Sequence, residues 1–132
     1  MLDHKNLDLS LLLLRICFGG MMLVLHGLPK LEKLFWGDPS TFLDPIGLGA
    51  YLSLSLAVFA EVLCAILVVF GLFTRVALIP LIVTMLVAML IVQGGKPLGE
   101  KEMALLYLVP YLVLLLTGPG FYSLDARLRH IQ

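Results

Sequence analysis

The sequence predicts an all-α membrane protein, an antiparallel four-transmembrane-helix bundle with a short interfacial helix between the first two spans. Of the 132 residues, 61% are hydrophobic and 14% are charged, and the mean hydropathy is +1.06. That composition lies far outside the range of soluble domains. Four apolar runs approach the roughly 20 residues that cross about 30 Å of hydrocarbon. Short connections join the last three runs, which favours antiparallel neighbours.

The four runs set the boundaries of one membrane domain, residues 1–132, with spans at approximately 9–28, 48–70, 75–93 and 99–118. No small-residue cleavage site follows the first run, so we expect a membrane span there and not a secretion signal. Pro80 lies inside the third run, where neighbouring helices of a bundle can accommodate it. The fourth run has a short apolar part, and its first turn therefore includes charged residues.

The first connection is predicted to contain a short amphipathic helix. Leu31, Leu34 and Phe35 share one helical face, and Trp36 follows them. This pattern is typical of a helix that lies in the membrane interface. We expect it to cap one end of the bundle.

The charges exclude one class of partner and leave the orientation nearly balanced. Nine basic and nine acidic residues cancel, so no excess positive field attracts nucleic acid. Four basic residues lie on each predicted side of the membrane, so their count does not decide the topology. The C-terminal tail carries Arg127 and Arg129 close to its span, and on that basis we expect cytoplasmic termini.

Glu61 interrupts the long apolar run of the second span. A charge in hydrocarbon costs several kcal/mol unless a partner neutralises it. Counting along the helices places Arg15 about 9 Å and Glu61 about 14 Å below the same membrane side. Arg75 begins the third span on that side. A guanidinium group offers a planar fork to a carboxylate, so the sequence predicts an Arg15–Glu61 pair with Arg75 nearby.

A second polar layer is predicted near the opposite side, where His26, Lys30 and Glu102 enter the bundle at one level. The two layers give six candidate ligand-binding residues: Arg15, His26, Lys30, Glu61, Arg75 and Glu102. The alternative is structural, because ion pairs between helices can simply fix their register. Side chains near the interface can also be merely solvated. No residue is assigned a catalytic role.

Metal chemistry is not indicated. The sequence has no CxxC pair and no histidine pair at i, i+4, the spacings that often bind metals. It also has no glycine-rich loop of the kind that binds phosphate groups. Its three histidines fall on two membrane faces, which argues against a shared metal or haem site. We therefore expect no metal and no covalently bound cofactor, with a quinone as the candidate non-covalent ligand.

Four segments carry a resemblance to a known family: LLRICFGGMM, HGLPKL, AEVLCAILVVFGLFTR and TGPGFYSLDARL. In their order and spacing they resemble the DoxX family of small bacterial membrane proteins. The resemblance implies a four-helix bundle in the bacterial inner membrane. It also implies redox associations, since relatives include the small subunit of a thiosulfate:quinone oxidoreductase and membrane partners of thiol-stress enzymes. The implied family-defining residues are Arg15, His26, Lys30, Glu61 and Arg75.

Three functions are consistent with these features. The first is a redox-associated accessory subunit with an intrabundle site for a quinone or similar amphiphile, because an apolar bundle with a few convergent polar groups is typical of small-molecule sites. Arg15 and Glu61 would anchor a carbonyl or hydroxyl, and His26 or Glu102 would exchange protons with water. The second is a non-enzymatic scaffold or assembly subunit for a membrane or peripheral redox enzyme. The third is a small proton-coupled permease, which uses a buried acid as a relay and would need more than four spans, as in a homo-oligomer. Whether the chain is an enzyme stays open.

Overall fold

The computed structural model describes residues 3–131, so Met1, Leu2 and Gln132 of the predicted domain lie outside the described residues. The described chain is helical with no strand, which confirms the all-α prediction. Apart from a short 3₁₀ turn in the first connection, it forms five helices: α1 His4–Trp36, α2 Ala50–Phe70, α3 Thr74–Val92, α4 Leu98–Thr117 and α5 Leu124–Ile131.

The four long helices pack side by side, each against its neighbours in the chain, and α4 also returns to α1. Their shared core is apolar, and its most buried members include Leu54, Val68, Leu78, Leu81 and Leu114. The outward faces carry many exposed leucine, valine, isoleucine and phenylalanine side chains. Such a surface is unfavourable in water and is compatible with the apolar hydrocarbon of lipid.

Three of the helices, α1, α2 and α3, are long and apolar enough to cross a bilayer. Helix α4 has 20 residues, but its first two turns carry Glu100, Lys101 and Glu102. These charges shorten its continuous apolar stretch below the length of an ordinary span. The fourth span therefore stays a prediction.

The separate interfacial helix predicted in the first connection is wrong. Leu28–Trp36 continues α1 without a break, because Gly27 and Leu28 both keep right-handed helical dihedral angles. Pro29 does not break this helix, and proline is tolerated in membrane helices where neighbouring helices accommodate it. The resulting 33-residue helix is about 50 Å long. Lys30 therefore lies on this helix and not in a loop.

Four stretches of π-helix interrupt the described helices; the one in α3, Ala88–Val92, is wholly apolar, and the other three contain a polar residue. Arg15–Gly19 and Met22–Gly27 lie in α1, and Phe59–Cys64 lies in α2. They contain Arg15, His26 and Glu61, respectively. Single-turn π bulges are often found at functional sites because the extra residue redirects side chains.

Gly27→Ala is expected to force α1 and α2 apart. A Cβ atom at Gly27 would overlap the backbone oxygen of Glu61 and lie 2.8 Å from its carbonyl carbon. Backbone cannot yield as a flexible side chain can, so we expect a loss of about 1–3 kcal/mol in the free energy of unfolding, as for other overpacked sites. Thermal unfolding in detergent micelles measures this change.

Gly20→Ala is the matched control for that substitution. It lies on the same helix, and a Cβ atom there meets nothing within 4 Å. Alanine should then stabilise the helix by roughly 0.5–1 kcal/mol. Equal effects of the two substitutions would contradict the close approach of α1 and α2 at Gly27.

Candidate functional site

The buried acid of α2 pairs with a lysine of α1. Lys30 Nζ donates to Glu61 Oε2 at 2.5 Å, and the side chains are 27% and 3% exposed, respectively. Gly27 makes the pairing possible, because only a residue without a Cβ lets α1 approach the backbone at Glu61. A charge-assisted bond of this kind offsets part of the cost of removing both groups from water.

The predicted Arg15–Glu61 pair is wrong. Arg15 is fully buried, but Nη1 donates to the Val69 carbonyl at 3.3 Å and Nη2 donates to the Tyr122 carbonyl. Val69 lies eight residues beyond Glu61, which is about 12 Å along α2. Counting residues from the ends of the apolar runs gave too small an axial separation, since Arg15 lies at the level of Val69. It also could not show that the C-terminal segment, residues 118–131, folds back over the end of the bundle that contains Arg15.

Arg75 lies at the same end of the bundle as Arg15 and does not converge on Glu61. Its side chain is exposed, and its guanidinium group passes close to Gly118, whose Cβ position would be 3.4 Å from Nη2. It lines a shallow cleft with residues of the C-terminal segment, among them Arg129. The structure thus separates both arginines from the buried acid.

The predicted layer of His26, Lys30 and Glu102 is only partly assembled. His26 is half-buried within electrostatic range of both Lys30 and Glu61, and its ring meets Tyr107 edge-on with centroids 5.4 Å apart. Glu102 is exposed and lines a separate groove beside α4. The site therefore combines one residue from the first predicted layer with two from the second.

The Lys30–Glu61 pair lies in the wall of a cavity of about 310 Å³. Helices α2 and α3 form its sides, and the first connection, residues 37–49, covers it with four apolar residues: Phe42, Leu43, Pro45 and Ile46. Apart from the charged pair, its polar lining side chains are Ser53 and Thr84. A small apolar cavity with a few converging polar groups has the character of a small-molecule site.

Asp44 holds the first connection over this cavity. Its carboxylate accepts bonds from the backbone N–H groups of Leu48 and Gly49, both at 2.9 Å, and from Ser53 Oγ at 2.8 Å. These three donors fix the connection to the first turn of α2. The bonds from Ser53 and the backbone N–H groups lower the pKa of Asp44.

Asp44→Asn is expected to loosen the connection without unfolding the bundle. A carboxylate bound by three donors is favoured over its protonated form. Because the folded-state pKa is lowered, the bonds stabilise the connection above the ordinary aspartate pKa and are lost as the pH falls through the lowered value. Hydrogen exchange at Leu48 and Gly49 should therefore accelerate in the variant at neutral pH. In the wild-type chain the protection factors of these two amides, which correct for the intrinsic pH dependence of exchange, should fall only on acidification. Unchanged exchange in Asp44→Asn would contradict this role.

The C-terminal segment forms a second polar cluster, at the Arg15 end, that the sequence analysis missed. Asp125 accepts from the backbone N–H groups of Phe73 and Thr74 and from Thr74 Oγ1, at 2.8, 3.0 and 2.8 Å. It thereby caps the N-terminus of α3. Gly71 adopts a left-handed conformation, and a Cβ there would overlap the Arg15 guanidinium group and lie 2.5 Å from Ser123 Cβ. The sequence signal was the threonine in GLFTR, a residue common at helix starts, but its acidic partner lies 51 residues away.

A buried tyrosine links two helices of the bundle. Tyr111 is fully buried in the core, and its hydroxyl donates to the Phe18 carbonyl at 3.0 Å. Phe18 belongs to the π-helical stretch Arg15–Gly19. The hydrogen bond joins α4 to α1 inside the bundle, so Tyr111 has a structural partner and is not free for a ligand.

The fold and the Lys30–Glu61 pair define a helical membrane protein with a polar site inside an apolar bundle. The DoxX family model matches residues 10–94, and the chain belongs to the DoxX family. It is 33% identical over 125 residues to the Bacillus subtilis (strain 168) protein named "Putative oxidoreductase CatD", covering 92% of this chain and 89% of that protein. No solved structure matches the chain.

Proposed function

We propose that this protein is a four-span bundle of the bacterial inner membrane that binds a quinone-class amphiphile and serves as the membrane accessory of a redox enzyme. The termini lie in the cytoplasm in this proposal, following Arg127 and Arg129 near the last helix. The ligand head group occupies the cavity between α2 and α3, and its tail extends along the apolar walls. Lys30 and Glu61 replace the predicted Arg15 and Glu61 as the groups that hold the head group.

The observation that carries this proposal is the Lys30–Glu61 pair, with Glu61 buried and Lys30 partly buried, in the wall of an otherwise apolar cavity. Two charges taken from water are costly, and a well-packed apolar pair is often at least as stable. If stability alone were required, an apolar wall would suffice. Charged groups that line a cavity large enough for an aromatic ring are better suited to orient a polar head group.

Family membership and the name of the relative support the redox role in this proposal. The Bacillus subtilis relative is named as an oxidoreductase, and a quinone is a redox compound that partitions into lipid. The chain supplies a carboxylate, an ammonium group and a nearby imidazole, which can bind and exchange protons with such a head group. Electron transfer is assigned to a partner enzyme.

Photochemical cross-linking tests the location of the ligand. An alkyl benzoquinone with a diazirine in its tail, in its oxidised and its hydroquinone form, is irradiated with the purified chain in lipid nanodiscs. Labels mapped by mass spectrometry should concentrate on the cavity walls, at Leu56, Ala57, Thr84 and Ala88. Excess unlabelled compound, added before irradiation, should prevent this labelling.

Ala57→Phe gives the decisive variant, because the new ring would fill the cavity. Val76→Phe is its control, since Val76 is exposed on the outer face of α3. We expect Ala57→Phe to abolish the cavity labels and Val76→Phe to leave them unchanged. Labels spread over the lipid-facing surface and insensitive to Ala57→Phe would refute the site. A stoichiometric enzyme partner that copurifies equally well with Ala57→Phe would then favour the scaffold function.

A further inference from the structure

We infer that the cavity prefers an amphiphile whose head group carries a hydroxyl, such as a hydroquinone or a phenol, over one that carries only carbonyls. This inference rests on the proposed function and names its ligand class more closely. It follows from an inventory of the hydrogen-bond donors and acceptors that face the cavity.

The two neutral polar side chains of the cavity wall already donate their hydroxyl protons to other protein groups. Ser53 Oγ donates to Asp44 Oδ1 at 2.8 Å, and Thr84 Oγ1 donates to the Pro80 carbonyl at 2.7 Å. A hydroxyl has a single proton to donate, so these two side chains can only accept from a ligand. Lys30 is the remaining side-chain donor among the cavity residues.

The charged pair presents both a donor and an acceptor. An ammonium group has three N–H donors, and Lys30 uses one of them on Glu61 Oε2. Within residues 3–131 no protein donor reaches the second carboxylate oxygen, Glu61 Oε1, and that oxygen is not among the fully enclosed polar atoms. Oε1 is therefore an open acceptor beside the free N–H groups of Lys30.

A hydroxyl matches both groups at once, since it accepts from Lys30 and donates to Glu61 Oε1. A quinone carbonyl or an ether oxygen can only accept, and it leaves the carboxylate oxygen without a donor when it fills the cavity. Burying a charged acceptor without a donor is costly, and sites built to bind a hydroxyl discriminate strongly against analogues that lack one. We expect a preference of roughly ten- to a hundredfold in Kd.

Three compounds with one decyl tail test this preference: a benzohydroquinone, its quinone and its dimethyl ether. Their affinities are measured anaerobically by calorimetry with the wild-type chain in nanodiscs, so the test does not depend on a variant that must fold. The hydroquinone should bind at least tenfold more tightly than both other compounds. The dimethyl ether keeps the reduced ring and replaces its two O–H donors with methoxy groups, so comparison with both other compounds separates hydrogen bonding from ring electronics.

Glu61→Gln should narrow the gap between hydroquinone and quinone to within about threefold, because an amide both donates and accepts. Glu100→Gln, in the exposed Lys96–Glu100 pair, should leave the gap unchanged. Equal binding of quinone and hydroquinone by the wild-type chain overturns the preference and leaves the proposed cavity standing. Failure of all three compounds to bind overturns both.

Discussion

Lys30→Met is expected to destabilise the bundle by about 3–5 kcal/mol, the range measured when one partner of a buried ion pair is removed. Methionine keeps much of the stem that packs against α2 and removes the ammonium group. Glu61 is then left almost fully buried with its Oε2 partner gone. Its carboxylate then lacks its cationic partner inside the bundle, which costs free energy. Unfolding in increasing SDS, followed by circular dichroism, measures the loss.

Two companion variants make that result specific. Lys96→Met removes the lysine of the exposed Lys96–Glu100 pair, whose atoms are 3.5 Å apart, and should change stability by less than about 1 kcal/mol. The double variant Lys30→Met, Glu61→Leu replaces both charges with apolar groups and should recover most of the lost stability. It should still fail to bind the amphiphile. A single variant as stable as Lys96→Met would show that the pair is not energetically coupled in the folded bundle.

Arg15→Met is expected to release the C-terminal segment and to cost roughly 2–4 kcal/mol, since the carbonyl groups of Val69 and Tyr122 both lose a charged donor. The helix end explains why Val69 needs this donor. Leu72 and Gly71 donate back to Leu67 and Val68, as in a Schellman motif. The Val69 carbonyl is left for Arg15. Limited proteolysis, read out by mass spectrometry, should show faster cleavage near residues 118–123 in the variant.

Arg127→Met is the control for Arg15→Met. Arg127 lies on the exposed side of α5, so its loss should leave both stability and cleavage within error of the wild-type chain. If Arg15→Met lowered stability but left the C-terminal segment equally protected, the carbonyl of Tyr122 would not depend on Arg15. A faster cleavage in both variants would instead indicate that the tail charge alone protects the segment.

Composition was sufficient to predict the class of protein because it reflects the solvent of the outer surface. Apolar runs have to match the bilayer thickness, and their lengths can be counted directly. The continuation of α1 through Gly27 and Pro29 could not be predicted in this way. Local rules assign glycine and proline to helix ends, whereas here the contact of Gly27 with the Glu61 backbone requires the helix to continue.

The buried acid was identified correctly as inward-facing, but its partner was not. Residue counting placed Arg15 and Glu61 only about 5 Å apart along the bundle axis, and a carboxylate can pair with an arginine or with a lysine. The outcome depended on contacts distant in sequence, namely the C-terminal carbonyl that binds Arg15 and the glycine that brings Lys30 to Glu61. Such contacts are not visible in the periodicity of a single chain.

The cap that Asp125 provides to α3 sets an order of events during synthesis. Thr74 is synthesised 51 residues before Asp125, so the first N–H groups of α3 lack this acceptor until the C-terminal segment has been made. The same dependence holds for Arg15, whose acceptor at Tyr122 is made later still relative to its own helix. Locking of the bundle thus follows the synthesis of this C-terminal segment, and fusions that hold the segment away from the helices should delay it.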